Sequence, residues 1–177
     1  MKMARSSSQI RIISGEYGGR LIDTPRTNAT HPMGERERSA IFNRLRDEVP
    51  GRRILDAFAG SGAIGIEALS LGASHVDFME KHPKAVRTIQ KNLVNLQLAD
   101  RSTLVRVPDG DYGIIFADPP YDNPQYEIVV SLIQHLVPGG YLVLSHPEAP
   151  APPQFAYLEL LSDKKYAAAC IKIYRKI

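Results

Sequence analysis

The tetrapeptide Asp118-Pro119-Pro120-Tyr121 closes an apolar run, Ile114-Ile115-Phe116-Ala117, with the composition of a buried strand. Two consecutive prolines directly after a strand fix a rigid, extended turn. A carboxylate (Asp118), a fixed carbonyl (Pro119) and an aromatic ring (Tyr121) are thereby held together, with Pro120 locking the turn. This set suits a flat ring that bears an exocyclic amine. Such an amine is a poor nucleophile, because its lone pair is delocalised into the ring. Two acceptors on its N–H protons turn the lone pair toward an electrophilic methyl carbon and stabilise the positive charge that grows on nitrogen. Tyr121 can stack on the ring once the base is flipped out of its helix.

A second constellation precedes the first. Leu55-Asp56-Ala57-Phe58-Ala59-Gly60-Ser61-Gly62 places small residues where a buried strand gives way to a helix, and Gly60 and Gly62 permit backbone to approach a ligand closely. Alone, this pattern also suits nicotinamide, flavin and nucleotide binding. Glu80, 18 residues after Gly62, falls at the end of the next strand, where an acid accepts hydrogen bonds from ribose hydroxyls. Asp56 directly precedes the glycines. A carboxylate there sits poorly beside a pyrophosphate and well beside a cationic amino acid moiety, which tips the choice toward the sulfonium cofactor S-adenosylmethionine.

The elements that position these residues follow from their periodicity. Ile10 to Ser14 and Arg20 to Ile22 read as a hairpin around Gly15, Gly18 and Gly19. Glu35 to Val49 reads as an amphipathic helix, with Ala40, Ile41, Leu45 and Val49 on one stripe and Arg36, Arg38, Arg44 and Arg46 on the surface. From Arg53 onward short apolar runs alternate with helical patterns. Strands are expected at 54–57, 75–80, 103–107, 112–117 and 141–145, and helices at 63–71, 83–98 and 124–136. Two final strands, 155–161 and 167–174, can pair antiparallel at a sheet edge. The expected fold is α/β, a doubly wound, mostly parallel seven-stranded Rossmann-like sheet with an antiparallel C-terminal edge, preceded by a small β-hairpin and helix. Residues 1–8 are read as a disordered tail, 9–50 as an RNA-docking unit and 51–177 as the catalytic domain.

Together these residues resemble the class I amino-methyltransferases, and more closely the RsmD-like family that methylates a guanine N2 of small-subunit ribosomal RNA. The resemblance rests on I-S-G-x-x-G-G-R-x-L (Ile13 to Leu21), R-x-R-x-A-I-F-N (Arg36 to Asn43), L-D-x-F-A-G-S-G (Leu55 to Gly62), I-E-A-L-S-x-G-A (Ile66 to Ala73), F-M-E-K (Phe78 to Lys81) and D-P-P-Y. It implies that Asp56, Phe58, Ala59, Gly60, Ser61, Gly62, Glu80 and Lys81 hold S-adenosylmethionine and that Asp118 to Tyr121 receive the guanine. Two departures stand out. His31-Pro32-Met33 replaces the family's R-P-T, which alters an expected RNA contact at His31. Only Pro108-Asp109-Gly110 joins Val107 to Asp111, where the family has an acidic residue, a helix and a loop; Asp109 is the residue left to meet the adenine, and the cover over it is missing.

Charge places the partner. Eight of the 22 lysines and arginines lie in the first 44 positions, against four acids, so the first quarter is the part suited to nucleic acid. Arg11, Arg20, Arg36 and Arg38 are its candidate phosphate contacts. The expected partner is ribosomal RNA or an assembling small subunit. The lone Cys170 excludes an intramolecular disulfide and leaves no cysteine pair for zinc, and no apolar run approaches the roughly 18 residues that span a bilayer. A metal-free cytoplasmic monomer is the expectation. The competing readings are an amino-methyltransferase acting on another RNA or on DNA bases, and a degenerate methyltransferase that retains RNA binding without catalysis.

Overall fold

A computed structural model describes residues 8–25, 33–167 and 169–177. A two-stranded hairpin, β1 (Gln9–Arg11) and β2 (Leu21–Asp23), is followed by α1 (Glu35–Leu45). The larger unit runs β3 (Arg53–Ala57), α2 (Ala63–Ser70), β4 (His75–Met79), α3 (Pro83–Asn95), β5 (Ser102–Val105), β6 (Tyr112–Ala117), α4 (Tyr126–Leu132), β7 (Leu136–His146), β8 (Leu158–Lys165) and β9 (Cys170–Lys176). The seven strands β3 to β9 form one sheet in the order β5-β4-β3-β6-β7-β9-β8. Pairing is parallel from β5 through β7, and β9 and β8 close the edge antiparallel. This is the doubly wound architecture expected from the alternating pattern. Among the described residues no helix is long and apolar enough to cross a membrane.

The parallel strands are apolar on both faces, as a sheet covered on both sides requires. Ile54, Ile114, Phe116 and Val143 face α1, α2 and α3, whereas Leu55, Ile115, Leu142 and Leu144 face α4. The N-terminal unit shares the first of these cores: Ile12, Ile22, Ile41, Phe42 and Leu45 pack into it, and the Phe42 ring tilts against Phe116 with centroids 5.5 Å apart.

Polar locks hold the hairpin there. Glu67 on α2 is fully buried, and its carboxylate accepts the N–H groups of Ile13 (3.0 Å) and Ser14 (2.8 Å). Ser70, one turn later, accepts the Tyr17 N–H and donates to the Ser14 carbonyl. Gly15 is required at this contact: it has φ of +80°, and a Cβ would lie 2.1 Å from the Ser70 carbonyl oxygen. At the hairpin's other end Asn92 of α3 both accepts from and donates to the backbone of Asp23. The I-S-G and I-E-A-L-S motifs are thus two halves of one joint.

The connection from β5 to β6 crosses the sheet without a helix. The register sets Val105 level with Met79, Ala57 and Ala117 at the carboxyl edge, while Tyr112 begins β6 at the opposite edge. Residues 106–111 therefore cross three strand spacings, about 14 Å, while also descending about 16 Å. At about 3.5 Å per residue they are extended nearly throughout, and no helix fits. Arg53 and His135 pin the lower end through the carbonyls of Asp109 (2.7 Å) and Gly110 (2.9 Å).

Replacing Glu67 by alanine strands three part-buried donors on Ile13 and Ser14 and removes the larger of the two acidic charges that offset the buried Arg38. The Glu67→Ala chain is expected to lose about 3–5 kcal/mol of stability in urea unfolding, and an unchanged midpoint would remove the joint's structural role.

Candidate active site

Parallel pairing brings the ends of β3, β4, β6 and β7 into one row. After β3 the chain turns through Phe58, Gly60 and Gly62, with φ of 61°, 57° and 80°. Phe58 adopts this left-handed geometry without being glycine, a strain of the kind that concentrates at functional loops. A Cβ on Gly60 would meet nothing nearer than the Phe58 carbonyl at 4.0 Å, so the loop faces open space on that side. Ala59 and Ser61 are buried, and their carbonyls tie the loop inward, to the Gly62 N–H (2.7 Å) and to Asn92 (3.2 Å) respectively.

Two carboxylates brace this loop. Glu80, directly after β4, accepts the Gly60 N–H (2.8 Å) and the His82 N–H (2.8 Å), and a carboxylate has lone pairs left for further donors. Asp56 is almost wholly buried and accepts the Gly65 N–H in the first turn of α2 at 2.9 Å, a favourable place for an anion. Burial pushes the Asp56 carboxyl well up, and the neighbouring charges of Asp118 and Glu80 push it further, against the lowering effect of the Gly65 N–H. Lys81 is exposed beside Glu80.

Asp118 follows β6 in the same row. Burial raises its carboxyl from 3.8 to about 6, and a hydrogen bond from Ser145 restrains the rise. Pro119 is buried, and its carbonyl accepts none of the hydrogen bonds formed among the described residues. The Pro120 carbonyl, by contrast, is taken by the Asn123 N–H at 3.1 Å. Tyr121 is partly buried, with its hydroxyl 2.5 Å from Ser145 Oγ. Burial, then the charge of Asp118, raises the Tyr121 hydroxyl to about 12. The charge of Glu37 in the first turn of α1 adds to that rise.

A family model described as "Conserved hypothetical protein 95" matches residues 10–175. The chain belongs to this RsmD-like family. It is 32% identical to "Putative rRNA methyltransferase YlbH" of Bacillus subtilis, over 94% of this chain and 99% of that protein. It is 31% identical to "Ribosomal RNA small subunit methyltransferase D" of Escherichia coli, over 72% of this chain and 68% of that one. Among solved structures, "Putative methyltransferase yhhF from Escherichia coli" superposes with a TM-score of 0.85 at 27% identity, covering 96% and 98% of the two chains.

In this member of the family the expected site residues separate into groups. Asp56, Phe58 to Gly62, Glu80 and Asp118 to Tyr121 converge on the carboxyl edge. Asp109 does not. Its carbonyl is held by Arg53, the first residue of β3, so it sits at the amino edge, because the helix-less crossover has almost completed its descent by that point. Arg38 is a second correction. Expected on the surface, it is 1% exposed; its guanidinium donates to the Arg11 carbonyl at 3.0 Å, while Nε and Nη1 have no partner among the described residues. Burial lowers its pKa, opposed by the charges of Glu67 and Glu35. Arg38 lines two cavities of about 170 and 280 Å³ beneath the hairpin, neither of which reaches the glycine loop. Arg11, Arg20 and Arg36 are exposed, and His31 lies outside the described residues.

Two contributors escaped the sequence reading. Glu67 carried a motif but no assigned role. Ser145 was only the end of a strand, though a serine closing the run Leu142-Val143-Leu144 was a usable signal.

The sign of the Asp118 effect on stability follows from its raised pKa. Protonated Asp118 favours the folded state fully below about pH 4, and that contribution is lost as pH rises through 6. Between pH 4 and pH 8 the stability of Asp118→Asn is therefore expected to gain on the parent by on the order of 2–3 kcal/mol. A gap that is flat with pH in chemical denaturation would contradict the raised carboxyl.

Proposed function

We propose that this chain uses S-adenosylmethionine to methylate the exocyclic N2 amino group of a guanine in small-subunit ribosomal RNA. The observation that carries the reading is the gathering of Asp56, Glu80 and Asp118 at an open glycine loop, where the charges of Asp118 and Glu80 make the buried Asp56 harder to ionise. Such an edge repels a pyrophosphate and is relieved by a cation. The sulfonium cofactor, with its charged amino group and without phosphate, fits this charge pattern, and the names of the relatives point to ribosomal RNA as the substrate class.

When bound, S-adenosylmethionine would supply an electrophilic methyl group with a neutral thioether as leaving group. The Phe58 to Gly62 backbone and Glu80 would hold it, Glu80 by accepting from ribose hydroxyls. Asp118 and the Pro119 carbonyl accept the two N–H protons of the amine and orient its lone pair. As nitrogen becomes positive, the Asp118 carboxylate stabilises that charge, takes one proton and releases it to solvent. Tyr121 stacks on the base. The exposed Arg11, Arg20 and Arg36 dock RNA phosphates, which supply affinity rather than sequence choice.

The helix-less crossover supports a second reading. With Asp109 at the amino edge, the adenine lacks the acidic partner expected for the family, as in a degenerate module that binds RNA and leaves the cofactor unbound. Calorimetric titration with S-adenosylmethionine and with NADH separates the two: micromolar binding of the former alone supports the enzyme, and binding of neither supports the module. For the enzyme, Asp118→Ala is expected to lower kcat by about 10²–10³-fold with cofactor affinity retained. Glu80→Ala is expected to weaken the cofactor by about 10-fold or more. Near-normal turnover by Asp118→Ala would exclude the mechanism.

A further inference from the structure

Ser145 is the penultimate residue of β7 and is 1% exposed. The register sets Ala117 opposite Leu144, so the residues that follow, Asp118 and Ser145, lie side by side at the carboxyl edge. The serine hydroxyl meets two members of the D-P-P-Y turn: the Tyr121 hydroxyl at 2.5 Å and the Asp118 carboxyl. A hydroxyl has one proton to donate. An ionised carboxylate only accepts, so the Ser145 proton goes to Asp118, and Tyr121 must then donate to Ser145.

We propose that Ser145 is a positioning residue for the methyl transfer: through the one-way chain Tyr121 to Ser145 to Asp118, a single buried hydroxyl both aims the carboxylate and anchors the ring on which the base stacks. The inference rests on Asp118 being the acceptor of the amine. It assigns one carboxylate oxygen to Ser145 and leaves the other for the incoming N–H. It also tethers Tyr121 at the far end of its ring, so the plane of the stacking surface is set before the base arrives, at no ordering cost on binding.

The chain has a polarity that depends on charge. Protonation gives Asp118 a donor beside its acceptors, so the direction of the bonds through Ser145 is no longer imposed by the carboxyl. The surrounding groups do not substitute for the serine. Asp56 from β3 is a carboxyl that the charges of Asp118 and Glu80 push up, and Glu80 from the end of β4 is engaged by the Gly60 and His82 N–H groups. Glu37 from α1 and Cys170 from β9 act on Tyr121. Ser145 is the side chain whose hydrogen bond favours ionised Asp118.

The test is the pH dependence of kcat/KM on ribosomal RNA for the full chain and for Ser145→Ala, Ser145→Thr and Tyr121→Phe. In parallel, the carboxyl carbon of Asp118 is titrated by NMR in the ligand-free protein, with its signal assigned by Asp118→Asn. The parent's acid limb is expected near pH 6. Ser145→Ala is expected to move both the limb and the NMR titration upward by about one pH unit. Ser145→Thr is expected to restore both. Tyr121→Phe is expected to leave the limb in place and raise KM several-fold. An unshifted limb and titration in a folded Ser145→Ala protein, however low its activity, would make Ser145 a packing residue and overturn the proposal. Should the alanine variant not fold, Ser145→Cys, which offers a weaker donor, is read the same way. Full activity in Asp118→Ala would instead strike the underlying reading, while the NMR titration would still decide whether Ser145 sets the carboxyl.

Discussion

Parallel pairing of β4, β3, β6 and β7 forces the ends of four strands, and with them Glu80, Asp56, Asp118 and Ser145, into one row at the carboxyl edge. Everything chemical in the molecule depends on that register. A slip of one residue in β6 would turn Phe116 from the core toward the other face and carry Asp118 away from Ser145. The apolar alternation that keeps Ile114 and Phe116 under α1, and Ile115 and Ala117 toward α4, therefore holds the site as well as the core. The same register brings Asp118 and Glu80 near enough to the buried Asp56 for their charges to push its carboxyl up.

The N-terminal hairpin and α1 depend on a different interaction, the buried Glu67 carboxylate. Its bonds to the Ile13 and Ser14 amides seat the hairpin on α2. Arg38 is buried in the same joint with two unpartnered nitrogens. Its charge faces Glu67 without a direct ion pair, and burying it incompletely satisfied is costly. The exposed basic face of the N-terminal unit is correspondingly smaller than the arginine count suggests: Arg11, Arg20 and Arg36 remain exposed, and Arg38 belongs to the interior.

The crossover at 106–111 shows how chain length limits chemistry. Six residues suffice to return from the carboxyl to the amino edge only when extended, so this segment cannot supply a helix over the edge of β4 and β5. It is anchored instead by Arg53, which also pairs with the buried Asp77 at 2.6 Å and lies over the Tyr112 ring. These contacts stabilise the bottom of the sheet and leave Asp109 far from the glycine loop.

Much of this was legible in the residues themselves. Strand and helix alternation, the antiparallel edge, the glycine loop and the D-P-P-Y turn follow from local periodicity and backbone restriction, which act over a few residues and need no distant partner. Boundaries moved where tertiary contact extended or shortened an element: β7 gains five residues before Tyr141, and the helix read through Val49 stops at Leu45. The sequence could not decide which arginine of α1 points inward, because Arg36 and Arg38 have the same composition and differ only in what lies across from them. Nor could it decide that Ser145 joins Asp118 and Tyr121, or that Asp109 ends at the wrong edge. Those outcomes depend on register between strands distant in the chain and on the geometric reach of a short connection, and only the assembled sheet determines either.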